Sequence, residues 1–487
     1  MLHEGSEPSV AVKTDAGMPW FRGLSRYQWF VFVVAALGWL FDTMDQQLFN
    51  LARKPALTQL LRNTPIESEV RAEVERVMAG ATEEERGTAI AKSYGAKVDE
   101  YGGYATSIFM VGWALGGIFF GVLGDKVGRA KTMLMTVLCY SVFTGLSAIS
   151  RGFADFAFYR FLTGLGVGGQ FAVGVAMVAE VMPDRSRPFA LGWLQALSAV
   201  GNMLAASVSI GLGKLEESQA IGSAWQAMFL VGLAPALLAI PIMTRLREPE
   251  RWRHAQLDSG GKPQKFGSIT ELFGDPRWRR HTIIGMLLAF AGVVGLWGIG
   301  FFSFDLIRSI FRRTFEAEGL SPQEVAGKLT FYAGMTSLMF NAGAFLGVYT
   351  YSRITHHIGR KAAFGIAFLL AMLMTAYTFW NLKTFWDIIW MVPIMGFCQL
   401  ACFGGYAIYF PELFPTRLRS TGTSFCYNVG RLVAALGPSA LGLLTSQVFV
   451  GAPEPMRYAG VTMCLVYLVG LLALPFAPET RGKPLPE

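Results

Sequence analysis

The chain has 487 residues, of which 53% are apolar and only 16% charged, with 55 glycines and a formal net charge of +8. That apolar content excludes an ordinary soluble protein, and glycines set inside apolar runs suit close helix packing in lipid. The basic excess would fit nucleic acid, but the bases lie in loops beside apolar runs, where membrane topology accounts for them; no nucleic-acid partner is expected.

Residues 1–26 form a polar, unpatterned tail with no cleavable signal peptide. Twelve apolar runs follow, near 27–51, 101–124, 131–150, 154–181, 187–213, 221–246, 280–307, 328–353, 360–380, 385–411, 419–448 and 457–477. About 20 residues at 1.5 Å of helical rise cross a hydrocarbon core of roughly 30 Å, so each run predicts a membrane-spanning helix. With the N-terminus inside, the short inner loops hold Lys126, Arg129, Lys131, Arg185, Arg187, Arg353, Arg360, Lys361, Arg417 and Arg419. The short outer loops hold Arg151, Lys214, Lys383 and Arg457. The loop 308–328 runs against this trend with Arg308, Arg312, Arg313 and Lys328. The balance still places both termini in the cytoplasm, with the plasma membrane as the expected location.

Two longer connections interrupt the pattern. Residues 52–100 form an extracellular insert rich in Glu and Arg, in which Thr64-Pro65 and the capping box Thr82-x-x-Glu85 predict two short amphipathic helices. A cap over an entrance on that face and a plain solvated loop both fit this insert. Residues 247–279, basic around a Gly-Gly-Lys-Pro centre, predict a cytoplasmic linker between bundles at 27–246 and 280–477, with a tail at 478–487. The two halves repeat: Glu180-Val-Met-Pro183-Asp-Arg-Ser-Arg187 returns as Glu412-Leu-Phe-Pro415-Thr-Arg-Leu-Arg419, and Gly128-Arg129 as Gly359-Arg360. His356 stands where Asp125 would recur. The expected fold is an all-α membrane protein, twelve transmembrane helices in two pseudo-symmetric six-helix bundles facing each other across a midplane site.

A charge at the centre of a span costs a few kcal/mol, so each needs a partner or a purpose. Asp42 and Asp45 share one face of the first span, and two carboxylates that close disfavour joint ionisation, which suits a proton carrier. Two acids in a shared watery vestibule is the alternative. Arg160 opens the fourth span at a depth from which it reaches Asp42, either as a proton-sensitive pair or as a static one. Arg431 sits about 18 Å into the eleventh span at helical rise, where a lone cation is a natural partner for a carboxylate. Asn428, Gln170, Gln195, Asn202, Asn341 and Gln399 are candidates to line the site, or equally to join helices. Gly121, Asp125, Gly128, Arg129, Glu180, Arg187, Glu412 and Arg419 gather at the inner loops, where their charges are expected to form a network that latches that face.

The stretch Gly121-Val-Leu-Gly-Asp125-Lys-Val-Gly128-Arg129-Ala-Lys131 resembles the G-x-x-x-D-[RK]-x-G-R-[RK] signature of the major facilitator superfamily. Tyr159-Arg160-Phe-Leu-Thr-Gly164-Leu-Gly166-Val-Gly168 through Ala179-Glu180-x-x-Pro183 is similar to the fourth span of its sugar-porter-like members. In those members the corresponding Arg pairs with an Asp of the first span. Leu246-Arg-Glu-Pro249-Glu-Arg251-Trp252 and Pro478-Glu479-Thr480-Arg481-Gly482 resemble that group's P-E-S-P-R and P-E-T-K-G motifs. Asp42-Thr-Met-Asp45 keeps the two acids of the D-G-F-D of proton-coupled aromatic-acid members, and organic-anion members place an Arg in the span of Arg431. No Gln-Gln pair of the sugar-porter kind occurs at 285–300, which argues against a hexose.

Other patterns fail on context. Gly164-x-Gly166-x-Gly168-Gly169 lies inside a span with no preceding strand, so it reads as a small-residue helix face. Cys139, Cys398, Cys402, Cys426 and Cys464 fall within spans without metal spacing, and His356-His357 reads as an interfacial charge feature. No catalytic constellation and no cofactor motif is present, so an enzyme is not expected; the coupling ion is expected to be a proton. The reading is a secondary transporter, functional as a monomer, moving a small organic anion such as an aromatic acid by proton symport. A sugar or polyol symporter is the alternative, with a uniporter, an exporter or a membrane sensor behind it.

Overall fold

The computed structural model describes residues 19–257, 265–300, 302–320, 322–434, 443–449 and 451–486. The tail before residue 19, the Gly-Gly-Lys-Pro centre of the linker and the middle of the run 419–448 lie outside the described residues. Within them all regular structure is helical. Helix α1 (Arg26–Leu60) starts at a capping box, the Gln28 N–H donating to Ser25 Oγ and the Ser25 N–H to Gln28 Oε1. Helices α2 (Pro65–Val77) and α3 (Glu83–Lys126) begin at Pro65 and at the Thr82–Glu85 box, as the sequence predicts. However, α3 is not the short helix expected. It runs on unbroken into the second span, so the insert consists of the projecting ends of α1 and α3 with α2 packed on α3. Hydropathy marks only the lipid-facing part of a helix; charged residues beyond it do not end the backbone hydrogen bonding.

Helices α4 (Arg129–Ser147), α5 (Phe153–Val181) and α6 (Arg187–Glu217), with the pair α7 (Ala224–Val231) and α8 (Ala239–Arg245), complete the first bundle. The linker carries α9 (Glu250–Leu257) and α10 (Ile269–Gly274). The second bundle opens with α11 (Pro276–Val294), which passes through a π-helical stretch, Gly295–Gly300, into α12 (Phe302–Ala317). It continues with α13 (Pro322–Ile358), α14 (Arg360–Asn381), α15 (Phe385–Leu413), α16 (Arg419–Ala434) and a last span, Pro455–Phe476. The expected loop 308–328 is therefore mostly helix, turned at Gly319, whose φ of 75° suits a glycine. Ten described helices are long and apolar enough to cross a membrane. Helix α4 is not among them because Arg129, Lys131 and its threonines and serines lower its hydropathy, and α16 because its described part, Arg419–Ala434, is too short. With these two, twelve segments cross, six in each bundle.

Packing follows the repeat. Helix α3 lies on α5 and α1 on α6; in the second half α13 lies on α15 and α11 on α16. Between bundles, α3 meets α16 and α13 meets α6. A Cβ on Gly116 would overlap the Leu165 backbone, and one on Gly347 the Phe397 backbone, so small residues set the same close approach in both halves. The α3–α4, α5–α6, α13–α14 and α15–α16 turns lie together at one end, called the latch end below.

Gly116→Val should therefore cost about 1–3 kcal/mol by overpacking and lower the melting temperature in detergent. Gly103→Ala, where a Cβ meets nothing within 4 Å, should leave it unchanged. Equal melting of the two variants would contradict this packing.

Candidate functional site

Among the described residues, Asp42, Asp45, Arg160 and Arg431 are charged side chains buried between the helices away from the latch end; Arg457, also buried there, is bonded to the Phe379, Trp380 and Leu382 carbonyls at the end of α14. The expected pairing of Asp42 with Arg160 is not what the structure contains. The cation acting on Asp42 is Arg431, from the opposite bundle, while Arg160 acts on Asp45. Three helical residues turn a side chain by about 300°, so the two acids share a face yet lean toward different neighbours. Depth along the helix does not register that difference. Asp42 Oδ2 accepts from Gln46 Nε2 at 3.2 Å, and Oδ1 has no protein partner. Neither Asp45 oxygen is hydrogen-bonded within the protein; the carboxylate lies beside Thr144 and against Gly232.

Arg160 is held independently of any acid. Its Nε and Nη2 donate to Ser147 Oγ at 3.0 and 2.8 Å, and Nη2 also donates to Thr163 Oγ1 at 3.0 Å. The rings of Phe49 and Phe229 cover its guanidinium at 5.5 and 4.7 Å. Arg431 donates from Nη1 to Asn428 Oδ1 at 3.1 Å, and its Nε has no partner. Its guanidinium lies 3.8 Å from the Trp113 ring and 4.2 Å from the Tyr427 ring, a geometry favourable to a desolvated cation. Tyr427 stacks on Phe171 at 4.1 Å, Phe171 packs on Trp39 at 4.9 Å, and Trp113 meets Trp297 edge-on at 5.8 Å. A cation, an acid and an aromatic wall thus converge where the two bundles meet. Sequence reasoning missed the wall, although Trp39 lies three residues before Asp42 and Tyr427 four before Arg431, each on the same helix face.

The amides divide. Gln170 accepts from Thr136 Oγ1 at 2.6 Å, joining α5 to α4, and Gln399 donates to Thr375 Oγ1 at 2.8 Å. Asn202 Nδ2 donates to Asn341 Oδ1 at 3.0 Å across the α6–α13 contact. Gln195 is buried with its Oε1 unpartnered. Asn428 donates to the Ser424 carbonyl at 2.9 Å and accepts from Arg431; of the amides, it is the one bonded to the central charges.

At the latch end the charges join the bundles. Arg129 binds Glu180 at 2.9 Å and lies 3.0 Å from Asp125, and Arg419 of the second bundle binds Glu180 at 2.7 Å. Asp125 accepts from the Ser420 and Thr421 N–H groups at 3.1 and 2.8 Å, crossing to the start of α16, and Arg129 Nη2 donates to the Thr416 carbonyl at 2.6 Å. A Cβ on Gly121 would press on Ser424, so its absence lets α3 approach α16. Two expected members sit elsewhere. Arg187 binds Asp184 and the Ala179 carbonyl within its own turn, and Glu412 binds Arg360 at 2.9 Å. Each half is completed by an acid not foreseen in this role. Glu248 accepts from the N–H groups of Arg129, Ala130 and Lys131 at the start of α4, and Glu479 from those of Arg360 and Lys361 at the start of α14. Gly128 and Gly359, at φ of 120° and 93°, let the chain turn over these carboxylates. Burial would raise the Glu479 carboxyl, but the N–H groups of Arg360, Arg481 and Lys361 and the Arg360 charge hold it below the usual range. Linker helix α9 covers the cluster, Trp252 Nε1 donating to the Asp125 carbonyl at 2.8 Å.

A family model described as Major Facilitator Superfamily matches residues 87–438. The chain is 25% identical to a probable 4-methylmuconolactone transporter of Cupriavidus pinatubonensis, over 95% of this chain and 93% of the relative. It is 28% identical to a cis,cis-muconate transport protein of Acinetobacter baylyi, over 78% of this chain and 86% of the relative. Among solved structures, the proton:xylose symporter XylE bound to 6-bromo-6-deoxy-D-glucose superposes with a TM-score of 0.70 at 16% identity, covering 94% of this chain and 98% of that one; that likeness is one of fold.

Glu180 serves two buried arginines, so Glu180→Gln leaves an uncompensated charge. We expect a loss on the order of 3 kcal/mol, read as a lower melting temperature. Asp99→Asn, at an exposed acid paired with the equally exposed Lys54, should shift stability by less than about 1 kcal/mol. Similar losses in both would contradict the assignment of Glu180 as the hub.

Proposed function

The chain belongs to the major facilitator superfamily, a transporter and not an enzyme, and from that premise we propose that it moves a small organic carboxylate with a proton by alternating access. The observation that carries the reading is Arg431: buried, stacked between Trp113 and Tyr427, facing Asp42, with no carboxylate hydrogen-bonded to it among the described residues. A guanidinium held this way offers a planar fork to a substrate carboxylate, and the adjoining rings suit an unsaturated or aromatic body. The relatives named for 4-methylmuconolactone and cis,cis-muconate support this class. Against a sugar, Asn202 and Asn341 bond to each other across the bundles and Asn428 is engaged by Arg431 and the Ser424 carbonyl.

Asp42 is the proton site in this mechanism. Without substrate its carboxylate balances Arg431 across the bundle interface. When a substrate carboxylate docks on Arg431, Asp42 takes up a proton, and the site keeps the same total charge throughout the cycle. A buried net charge is costly, so conservation of charge ties substrate to proton. Asp45 and Arg160 form a second compensated pair within the first bundle. The bases of the latch end support its assignment to the cytoplasmic face of the plasma membrane, by the positive-inside rule. Its closed charge network then corresponds to a conformation sealed from the cytoplasm, and breaking it lets the bundles rock.

Purified protein in proteoliposomes, given an inward pH gradient and a panel of carboxylates and sugars, tests this directly. Uphill uptake of a carboxylate is expected; Asp42→Asn should abolish accumulation while retaining exchange. Arg431→Ala should weaken carboxylate binding roughly 10- to 100-fold, the worth of a charged hydrogen bond. Uptake of a sugar, or unchanged affinity in Arg431→Ala, would contradict the reading.

A further inference from the structure

Helices α6 and α13 meet across the two bundles in a ladder of side chains that runs from the latch end to the centre. At the latch end the Phe189 ring packs on the His356 ring at 5.3 Å, with the Arg353 guanidinium 5.4 Å from Phe189. Next, a Cβ on Gly192 would overlap Ser352, and Trp193 meets Tyr349 and Phe345 edge-on at 5.3 and 5.8 Å. The rung at the centre is Asn202 on Asn341, Nδ2 donating to Oδ1 at 3.0 Å. Residue numbers rise along α6 as they fall along α13, so the helices stay antiparallel and in contact over the whole ladder. Its rungs near the latch end are tight and aromatic; the one at the centre is a single hydrogen bond between neutral amides.

Contacts on both sides fix that bond at the depth of the transport site. A Cβ on Gly201 would press on the Leu40 carbonyl and the Thr43 hydroxyl, and Thr43 Oγ1 donates to the Ser198 carbonyl at 3.1 Å. Asn202 is therefore level with the turn of α1 that carries Asp42. On the other side Asn341 Nδ2 donates to the Ser337 carbonyl at 2.9 Å, one turn back along α13. That bond orients the amide, so its Oδ1 is the acceptor presented to α6. A contact between bundles at this depth parts and re-forms in every transport cycle. A charged pair separated here would leave two ions in a low dielectric. A primary amide carries donors and an acceptor of its own, so each asparagine finds water or its own helix when the pair opens. One neutral hydrogen bond is also weak enough, net, to break and re-form.

Resting on the alternating-access reading above, we propose that the Asn202–Asn341 bond is the gate between the transport site and the α6–α13 edge of the latch end. Made, it holds the two bundles together at the level of Asp42 and keeps the aromatic rungs beyond it in register. Broken, it lets α6 and α13 part, and the site opens toward the latch end along this edge. The gate carries no charge, so it acts apart from the Glu180 hub and from the Asp125 contact on the α3–α16 edge. The two asparagines are then gating residues and not ligands of the substrate.

The test follows hydrogen–deuterium exchange of the full chain in nanodiscs, without substrate, in residues 187–193 and 350–358. These segments lie roughly 13–25 Å along their helices from the bond, beyond the reach of a purely local change. Asn202→Ala and Asn341→Ala should each speed exchange there about 2- to 10-fold, the worth of one neutral hydrogen bond. The double variant should go no further than either alone, because both remove the same bond. Asn202 is half-buried, so its truncation tests the bond even where Asn341→Ala does not fold. Gln399→Ala, which breaks an amide bond within the second bundle, should leave both segments unchanged. Unchanged exchange in Asn202→Ala, effects that multiply in the double variant, or an equal rise in Gln399→Ala would overturn the gate. Because no carboxylate is present, failure of the substrate reading would show in the uptake assay and leave this result standing.

Discussion

A charge taken out of water must meet a counter-charge or a dense set of hydrogen bonds, and this protein buries an unusual number of them. Asp42, Asp45, Asp125, Arg129, Arg160, Arg419 and Arg431 are all withdrawn from solvent in a chain whose remaining spans are largely apolar. Where each finds its compensation decides how the two bundles meet. At the latch end the answer is static and well bonded: Glu180 between Arg129 and Arg419, Asp125 on the first N–H groups of α16. In the centre it is sparse, with Asp42, Asp45 and Arg431 each retaining an unpartnered polar atom. A dense network suits a lock; a sparse one leaves room for a proton and an anion to change places.

Much of this was legible in the sequence because repeats preserve chemistry. The two E-x-x-P-x-R-x-R stretches and the two Gly-Arg pairs marked the latch end, and the apolar runs marked the spans. What escaped was azimuth and reach. Asp42 and Arg160 lie at compatible depths, yet Arg160 turns toward Asp45 and its Ser147–Thr163 cradle, leaving Asp42 to a residue of the other bundle. Hydropathy also stopped α3 and α12 where lipid stops, although both helices continue. The roles of Glu248 and Glu479 depend on contacts with residues more than a hundred positions away, and no local pattern carries that information.

The duplication is informative where it fails. Glu248 and Glu479 cap α4 and α14 alike, and Gly128 and Gly359 turn alike. Yet one bundle contact is sealed by a carboxylate on backbone N–H groups, and its counterpart by a phenyl ring among cations. Two contacts of different chemistry need not open together or answer to the same surroundings. The first is buried, with Asp125 and Ser420 withdrawn from the surface, while the second leaves Arg353 and His356 exposed.

The central claim is that Asp42 and a substrate carboxylate alternate as the counter-charge of Arg431. The most direct measurement is the proton exchanged when a transported carboxylate binds the purified protein in weakly buffered detergent solution, followed with a pH indicator. The account predicts alkalinisation of the medium on binding, absent in Asp42→Asn. Binding with no pH change in the unaltered protein, or an equal change in Asp42→Asn, would contradict it.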